Sequence, residues 1–280
     1  MRLLYNNLVD LDTTVLTATS TAAGRPVTKL RDQIRKRVWR ATASVQESVT
    51  IDLGSAGQSI KAIAVAGHNL SVAGTIEFLH STDGSTYTSL GTISISPQIP
   101  IGYGYGGYGN YGYGGVSVDV PLTGTVEALF IEGITSRYIR VTFRDPSNDR
   151  GYVEAGRIFV GTYWEPPNGI LFGWGIELID PTEIVKTIGG QKTNNTRNAY
   201  LRANFTLPDL SQSDAYDQLY QIIRTYQATR KDSFLALLLN ETDTVQDVVT
   251  LYGRFVGDIS IANTAPTSYD AGQLTYEESL

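Results

Sequence analysis

The sequence predicts a mainly β protein in two parts, an antiparallel β-sandwich over residues 1–165 and a second β domain carrying one amphipathic helix over residues 166–280. Three observations predict it. Short β-branched runs separated by turn signals dominate the first part. A single stretch with apolar residues at 3.6-residue spacing interrupts the strand-like runs of the second. Between the two lies TYWEPPNG, in which Pro166 and Pro167 lack ladder donors and an Asn-Gly turn follows.

The first part holds eight expected strands, at residues 49–53, 60–66, 74–79, 88–94, 116–120, 126–131, 138–143 and 157–162, with SAG, NLSVAG, TDG and DPSNDRG in the gaps. Alternation supports them. Tyr138, Arg140 and Thr142 fall on one side of their strand, and Ile139, Val141 and Phe143 on the other. In the second part, strands are expected at 170–179, 183–188, 199–207, 234–239, 248–256 and 258–261. The helix is expected at about 212–230. Ser211 can cap it, Asp214 complements its amino end, and Ala215, Leu219, Ile222 and Tyr226 form its apolar stripe.

Of the 280 residues 41% are apolar and 18% charged, the balance of a folded globular chain. The net charge of −6 argues against a general nucleic-acid binder. One stretch runs against that balance. Arg25, Lys29, Arg31, Arg35, Lys36, Arg37 and Arg40 are opposed only by Asp32, and read either as a solvated face or as a docking patch for an acidic partner. Cysteine is absent, which excludes disulfides, thiolate metal sites and cysteine nucleophiles. The start MRLLYNNLVDLD breaks its apolar run at Asn6 and Asn7, and no stretch reads as a membrane span, so a cytoplasmic origin without membrane insertion is expected.

Residues 102–115, GYGYGGYGNYGYGG, contain eight glycines, five tyrosines and one asparagine. Glycine contributes no packing surface, so this segment builds no core. Tyr103, Tyr105, Tyr108, Tyr111 and Tyr113 offer amphipathic faces of the sort recognition loops use. A recognition tip, a subunit contact and an inert low-complexity insertion all remain open.

VTIDLG (49–54), IKAIAVAGHNLS, STDGSTYTSLG and SRYIRVTF, in that order, resemble the discoidin or F5/8 type C family of galactose-binding-like β-sandwiches over about residues 15–162. Pro26, Asp32 and Trp39 stand in the family's order and Ser81, Asp83 and Gly84 match its central element, while Tyr87 replaces the usual Trp. The resemblance implies a jelly-roll sandwich with ligand-binding loops. With the Gly/Tyr insertion and GYVEAGRIFVG, the chain also looks like the tail proteins of tailed bacteriophages. Its second part is similar to the barrel-like tail-tube domain of distal-tail and baseplate-hub proteins. That likeness implies a non-enzymatic virion component in a homo-oligomeric ring, with other tail proteins as partners and a host-surface polysaccharide as a further candidate. A carbohydrate-binding module and a capsid decoration protein are the alternatives.

The chemistry-bearing residues point to no cofactor. His68 and His80 are the whole imidazole supply, and neither HExxH nor G-x-S-x-G accompanies them. Glu177 with Asp180, and Glu277 with Glu278, are local carboxylate pairs read as solvated charge rather than a glycosidase dyad. Asp145, Asn148 and Asp149 offer oxygens for calcium, although the same spacing makes an ordinary Asx turn.

Overall fold

The computed structural model describes residues 1–54, 57–95, 126–186, 192–195, 197–229, 231–237 and 250–279. The Gly/Tyr segment and the strand expected at 116–120 lie outside the described residues. The first part comprises β1 (Arg2–Leu4), β2 (Val15–Ala18), β3 (Trp39–Arg40), β4 (Glu47–Asp52), β5 (Gln58–Ala66), β6 (Thr75–Ser81), β7 (Thr88–Ser94), β8 (Val126–Ser136), β9 (Tyr138–Arg144), β10 (Glu154–Ala155), β11 (Arg157–Gly161) and β12 (Tyr163–Trp164). The second comprises β13 (Gly175–Ile179), β14 (Glu183–Lys186), β15 (Lys192–Asn195), β16 (Tyr200–Leu210), β17 (Ser233–Ala236), β18 (Thr250–Val256), β19 (Ile261–Ala265) and β20 (Ser268–Glu278). One helix, α1, winds with π-type turns over Ser213–Tyr220 and continues as a regular α-helix over Gln221–Thr229.

A five-stranded antiparallel sheet, ordered β2-β4-β9-β6-β7, faces a three-stranded sheet, β11-β5-β8, and together they form the expected β-sandwich. The period-two pattern of β9 decides which side faces in. Ile139, Val141 and Phe143 are fully buried, and Phe143 meets the buried Trp39 ring at 5.9 Å. Each such side chain contributes about 1.5–3 kcal/mol by leaving water.

β5 is buried on both faces, and its sequence shows how. Ile63 and Val65 point into the sandwich core, while Ala62, Ala64 and Ala66 point the other way. A register shift after Ile60, opposite Gly133 at φ 120°, keeps Ile60 on the core side too. The small alanines leave room for a second sheet. Leu4, Phe159, Phe234 and Tyr252 pack there, joining the sandwich to the C-terminal half through a shared apolar layer.

That second sheet runs β12-β1-β17-β18-β20-β16-β13, with β19 on β20. Among the described residues it is open at both ends, so the barrel-like expectation takes the form of an open sheet with a helix on one face. Two strands from before residue 165 belong to it. β1 lies between β12 and β17, pairing Leu3 with Trp164 and with Leu235. Adjacent residues along its central strands enter different cores: Leu3, Leu235 and Leu251 face the helix, and Leu4, Phe234 and Tyr252 face the sandwich. Burial on both faces explains why these strands read as apolar runs without alternation.

The helix buries Ala215, Leu219, Ile222 and Ile223 against this sheet. Its start is the expected one. Ser211 Oγ accepts from the Asp214 amide at 3.1 Å and donates to the Asp214 carboxylate at 2.6 Å.

Candidate functional site

A pocket of about 470 Å³ opens where the chain leaving β1 passes between β11, β17 and α1. Tyr5, Asn6 and Asn7 form one wall, and Asp217, Gln218 and Gln221 of α1 form another that meets it at the Tyr5–Gln218 hydrogen bond. Phe159 and Phe234 lie beneath, their ring centroids 5.8 Å apart.

The first wall is held rigidly. Asn7 Nδ2 donates to the Ile158 carbonyl at 2.8 Å, and its Oδ1 accepts from the Val9 and Val160 amides at 3.2 and 3.0 Å, stitching the loop to β11. Asn6 adopts φ 59°, a left-handed conformation that asparagine tolerates better than most residues. Its amide donates to the Tyr226 hydroxyl at 2.7 Å, and burial pushes that phenol's pKa up. Tyr5 in turn donates to Gln218 Oε1 at 3.4 Å.

Below the wall lies a charged pair. Arg157 Nη2 donates to Asp10 Oδ2 at 2.5 Å and Nη1 to the Leu30 carbonyl at 3.2 Å. Burial, the largest single effect, opposes the guanidinium charge, but the Asp10 hydrogen bond and charge together with the Tyr252 and Tyr226 phenols outweigh it and hold the pKa above the usual arginine value. Arg157 Nε and Asp10 Oδ1 are sealed from solvent without a protein partner. Asp232 accompanies Arg254 at 2.7 Å, close in distance yet not aligned as a hydrogen bond. The arrangement suits holding a small polar molecule.

The residues singled out by the sequence are dispersed. Tyr103, Tyr105, Tyr108, Tyr111 and Tyr113 lie outside the described residues. The basic stretch turns partly inward: Arg35 is buried on Glu278 at 3.0 Å, Arg31 reaches the Thr14 carbonyl, and Arg40 meets Glu154 at 2.9 Å while lying 4.0 Å from the centre of the Tyr152 ring. Arg37 pairs with Asp32 at 3.0 Å on the surface, Lys36 is exposed, and Arg25 and Lys29 are half-buried. The structure therefore forms no single basic face from these seven residues.

Asp145 is fully buried and surrounded by donors, the Ser71 amide at 2.6 Å, Ser71 Oγ at 2.8 Å and Asn148 Nδ2 at 3.0 Å. These donors engage both carboxylate oxygens, and the Asn148 amide donates to the Asp145 carbonyl at 3.2 Å in the ordinary turn that the spacing also allows. Asp149 is exposed beside it, and no group of three or more metal-ligating His, Cys, Asp or Glu side chains occurs among the described residues. His68 instead lies 3.7 Å from Glu127, both side chains buried, with His68 Nδ1 accepting from the Leu70 amide at 3.3 Å. Glu278 corrects the solvated-charge expectation. Its burial raises its pKa, and it also accepts from the Leu201 amide at 3.1 Å. Glu277 pairs with Arg202 at 2.9 Å.

The STDG element forms as a turn closed by its own carboxylate. Asp83 accepts from Ser81 Oγ, the Ser85 amide and Oγ, and the Thr86 amide at 2.7–3.0 Å, and Gly84 takes φ 77° against the Tyr138 ring. Tyr87, standing for the usual Trp, carries the Arg140 guanidinium 3.6 Å from its ring centre. The pocket residues escaped sequence reasoning. One signal existed, a lone arginine opening the apolar run RIFVG, since a buried arginine requires a partner.

The sheets define a mainly β, antiparallel sandwich protein with a helix-covered second sheet. No protein-family model and no curated protein matches the chain. Among solved structures, similarity is found to the module CpGH89CBM32-5 of Clostridium perfringens, solved with GalNAc-β-1,3-galactose, at 14% identity and TM-score 0.38, covering 56% of this chain and 100% of that one. The chitosan-binding module 1 of a chitosanase/glucanase from Paenibacillus sp. IK-5 matches at 17% identity and TM-score 0.39, with 56% and 100% covered. The family 32 carbohydrate-binding module of C. perfringens NanJ, solved with galactose, matches at 14% identity and TM-score 0.38, with 59% and 100% covered. Likeness at this level assigns no ligand to this chain.

Proposed function

We propose that the protein is a non-enzymatic structural and recognition component of a bacteriophage tail tip or baseplate, made in the host cytoplasm and assembled with other tail proteins in a homo-oligomeric ring. The observation that carries this reading is the joint between the halves. A module that only binds can ride on a flexible linker, whereas here β1 is built into the second sheet and Leu4, Phe159, Phe234 and Tyr252 fill the space between the layers. Load on the sandwich therefore passes through a packed core. On the edge strand β13 and just before it, the exposed Leu178, Leu171 and Phe172 supply apolar surface of the kind that subunit contacts bury. The sequence resemblance to tail proteins supports the same reading.

Electron microscopy of native particles carrying a labelled copy tests it. Label at the tail tip or baseplate is the expected result, and label over the capsid, or no incorporation, overturns the reading. Replacing Tyr103, Tyr105, Tyr108, Tyr111 and Tyr113 with serine then asks what the Gly/Tyr segment does. Unchanged assembly and host adsorption would mark it as inert.

A further inference from the structure

We propose that the junction pocket binds a small neutral polyhydroxylated molecule of hexose size. The inference rests on the recognition role above and deepens it, placing the sugar contact between the two halves rather than on the sandwich loops.

Size is the first argument. About 470 Å³ lies within the range of small-molecule pockets, roughly 300–1,000 Å³, and accommodates one or two sugar rings. Charge is the second. Arg157 is matched by Asp10 and Asp232 by Arg254, and the remaining two ionic groups of the lining, Asp217 and Lys231, are of opposite sign. With the ionic groups compensated in this way, the lining selects neither an anion nor a cation.

The accessible groups supply the third. Gln218 and Gln221 stand three residues apart on one face of α1; Gln218 Oε1 already accepts from the Tyr5 hydroxyl, which leaves its amide nitrogen to donate, while the exposed Gln221 amide can both donate and accept. The Tyr226 oxygen already accepts from the Asn6 amide, which leaves its proton to donate. Adjacent ligand hydroxyls, each a donor and an acceptor, match such a mixed set better than a carbonyl or an ammonium does. Tyr5, half-buried in the lining beside Gln218, is the aromatic ring against which the C–H side of a sugar would pack. Because Asn7 and the Asn6–Tyr226 bond hold the wall of Tyr5, Asn6 and Asn7, the site is formed before the ligand arrives, and little ordering cost falls on binding.

The test is an NMR amide titration of the full chain with galactose, glucose and N-acetylglucosamine, and with glucuronate and glucosamine as charged probes. Gln221→Trp, an exposed helix position, fills the mouth of the pocket, and its thermal unfolding checks that the fold is intact. Saturable shifts at Asn6, Gln218 and Gln221 with a neutral sugar, at a Kd on the order of millimolar, and at least about tenfold weakening in Gln221→Trp are expected. Absence of saturable shifts for every probe overturns the inference. So does stronger binding of a charged probe, or binding that maps to the sandwich loops and survives Gln221→Trp. The last outcome would leave the recognition role standing, whereas particle labelling away from the tail would remove that role without touching the pocket.

Discussion

Arg35 and Glu278, 243 residues apart, form a buried ion pair at 3.0 Å that ties the basic stretch of the sandwich to the last strand of the chain. Arg35 also donates to the Ser279 carbonyl at 3.2 Å, and its aliphatic stem lies against Gly67 and Gly156. A Cβ on Gly156 would come within 2.3 Å of the Arg35 carbonyl oxygen, so glycine there is a packing requirement.

Removing one partner of this pair leaves the other charge buried. Glu278→Ala is expected to cost about 3–5 kcal/mol in urea unfolding, and the double variant Arg35→Met/Glu278→Leu is expected to recover much of it. Equal losses in the single and double variants would show that the cost lies in the packing and not in the stranded charge.

Tyr276 is the hub of the second sheet. Its hydroxyl bonds the Ser233 carbonyl at 2.7 Å and the Gly253 carbonyl at 2.9 Å, and receives the Gly253 amide at 3.2 Å. Tyr276→Phe keeps the ring and strands these buried groups, for an expected loss of about 1–3 kcal/mol in chemical denaturation. Gly253→Ala should be worse, because its Cβ would sit 1.8 Å from the Glu277 carbonyl oxygen.

Asp145 holds two loops together as an acceptor, so Asp145→Ala should lower the melting temperature and millimolar calcium should leave that of the native protein unchanged. A calcium-dependent rise abolished by Asp145→Ala would support the cation reading of this loop.

The pH profile has a definite sign. The Arg137 hydrogen bond holds Asp52 below 3.8, and hydrogen bonds led by Ser85 Oγ hold Asp83 well below it. Carboxyls lowered in this way stabilise the fold above about pH 3.8, and their contribution disappears as pH falls through the depressed folded values. Glu278 runs the other way. Raised by burial above 4.5, it costs stability as pH rises from there through its folded value, so mild acidification offsets part of the loss. Urea midpoints measured against pH should show Asp83→Asn less stable than the native protein at neutral pH, with the gap closing below pH 3.8. A gap constant with pH would mean that the carboxylate charge plays no part in the turn.

The strands of the sandwich were legible because their constraints are local. In β9, a strand with one wet face alternates, and Ile139, Val141 and Phe143 announced which face was dry. The Ser211–Asp214 cap and the STDG turn were readable for the same reason, since their hydrogen bonds close within a few residues. β1 was not. Three residues, Arg2–Leu4, carry too little pattern to reveal that they complete a sheet formed mostly after residue 165.

By itself the sequence determined the class of architecture, the helix and its start, and the absence of cysteine chemistry, all of which follow from residue type and short-range spacing. Only the tertiary structure decided that Leu3 and Leu4 enter different cores, that Arg157 finds Asp10, that Glu127 finds His68, and that Glu278 is buried on Arg35. Those partners lie far apart along the chain. An ionic or polar residue looks the same in a sequence whether it will face water or a distant counter-charge, and the packing of whole layers decides which.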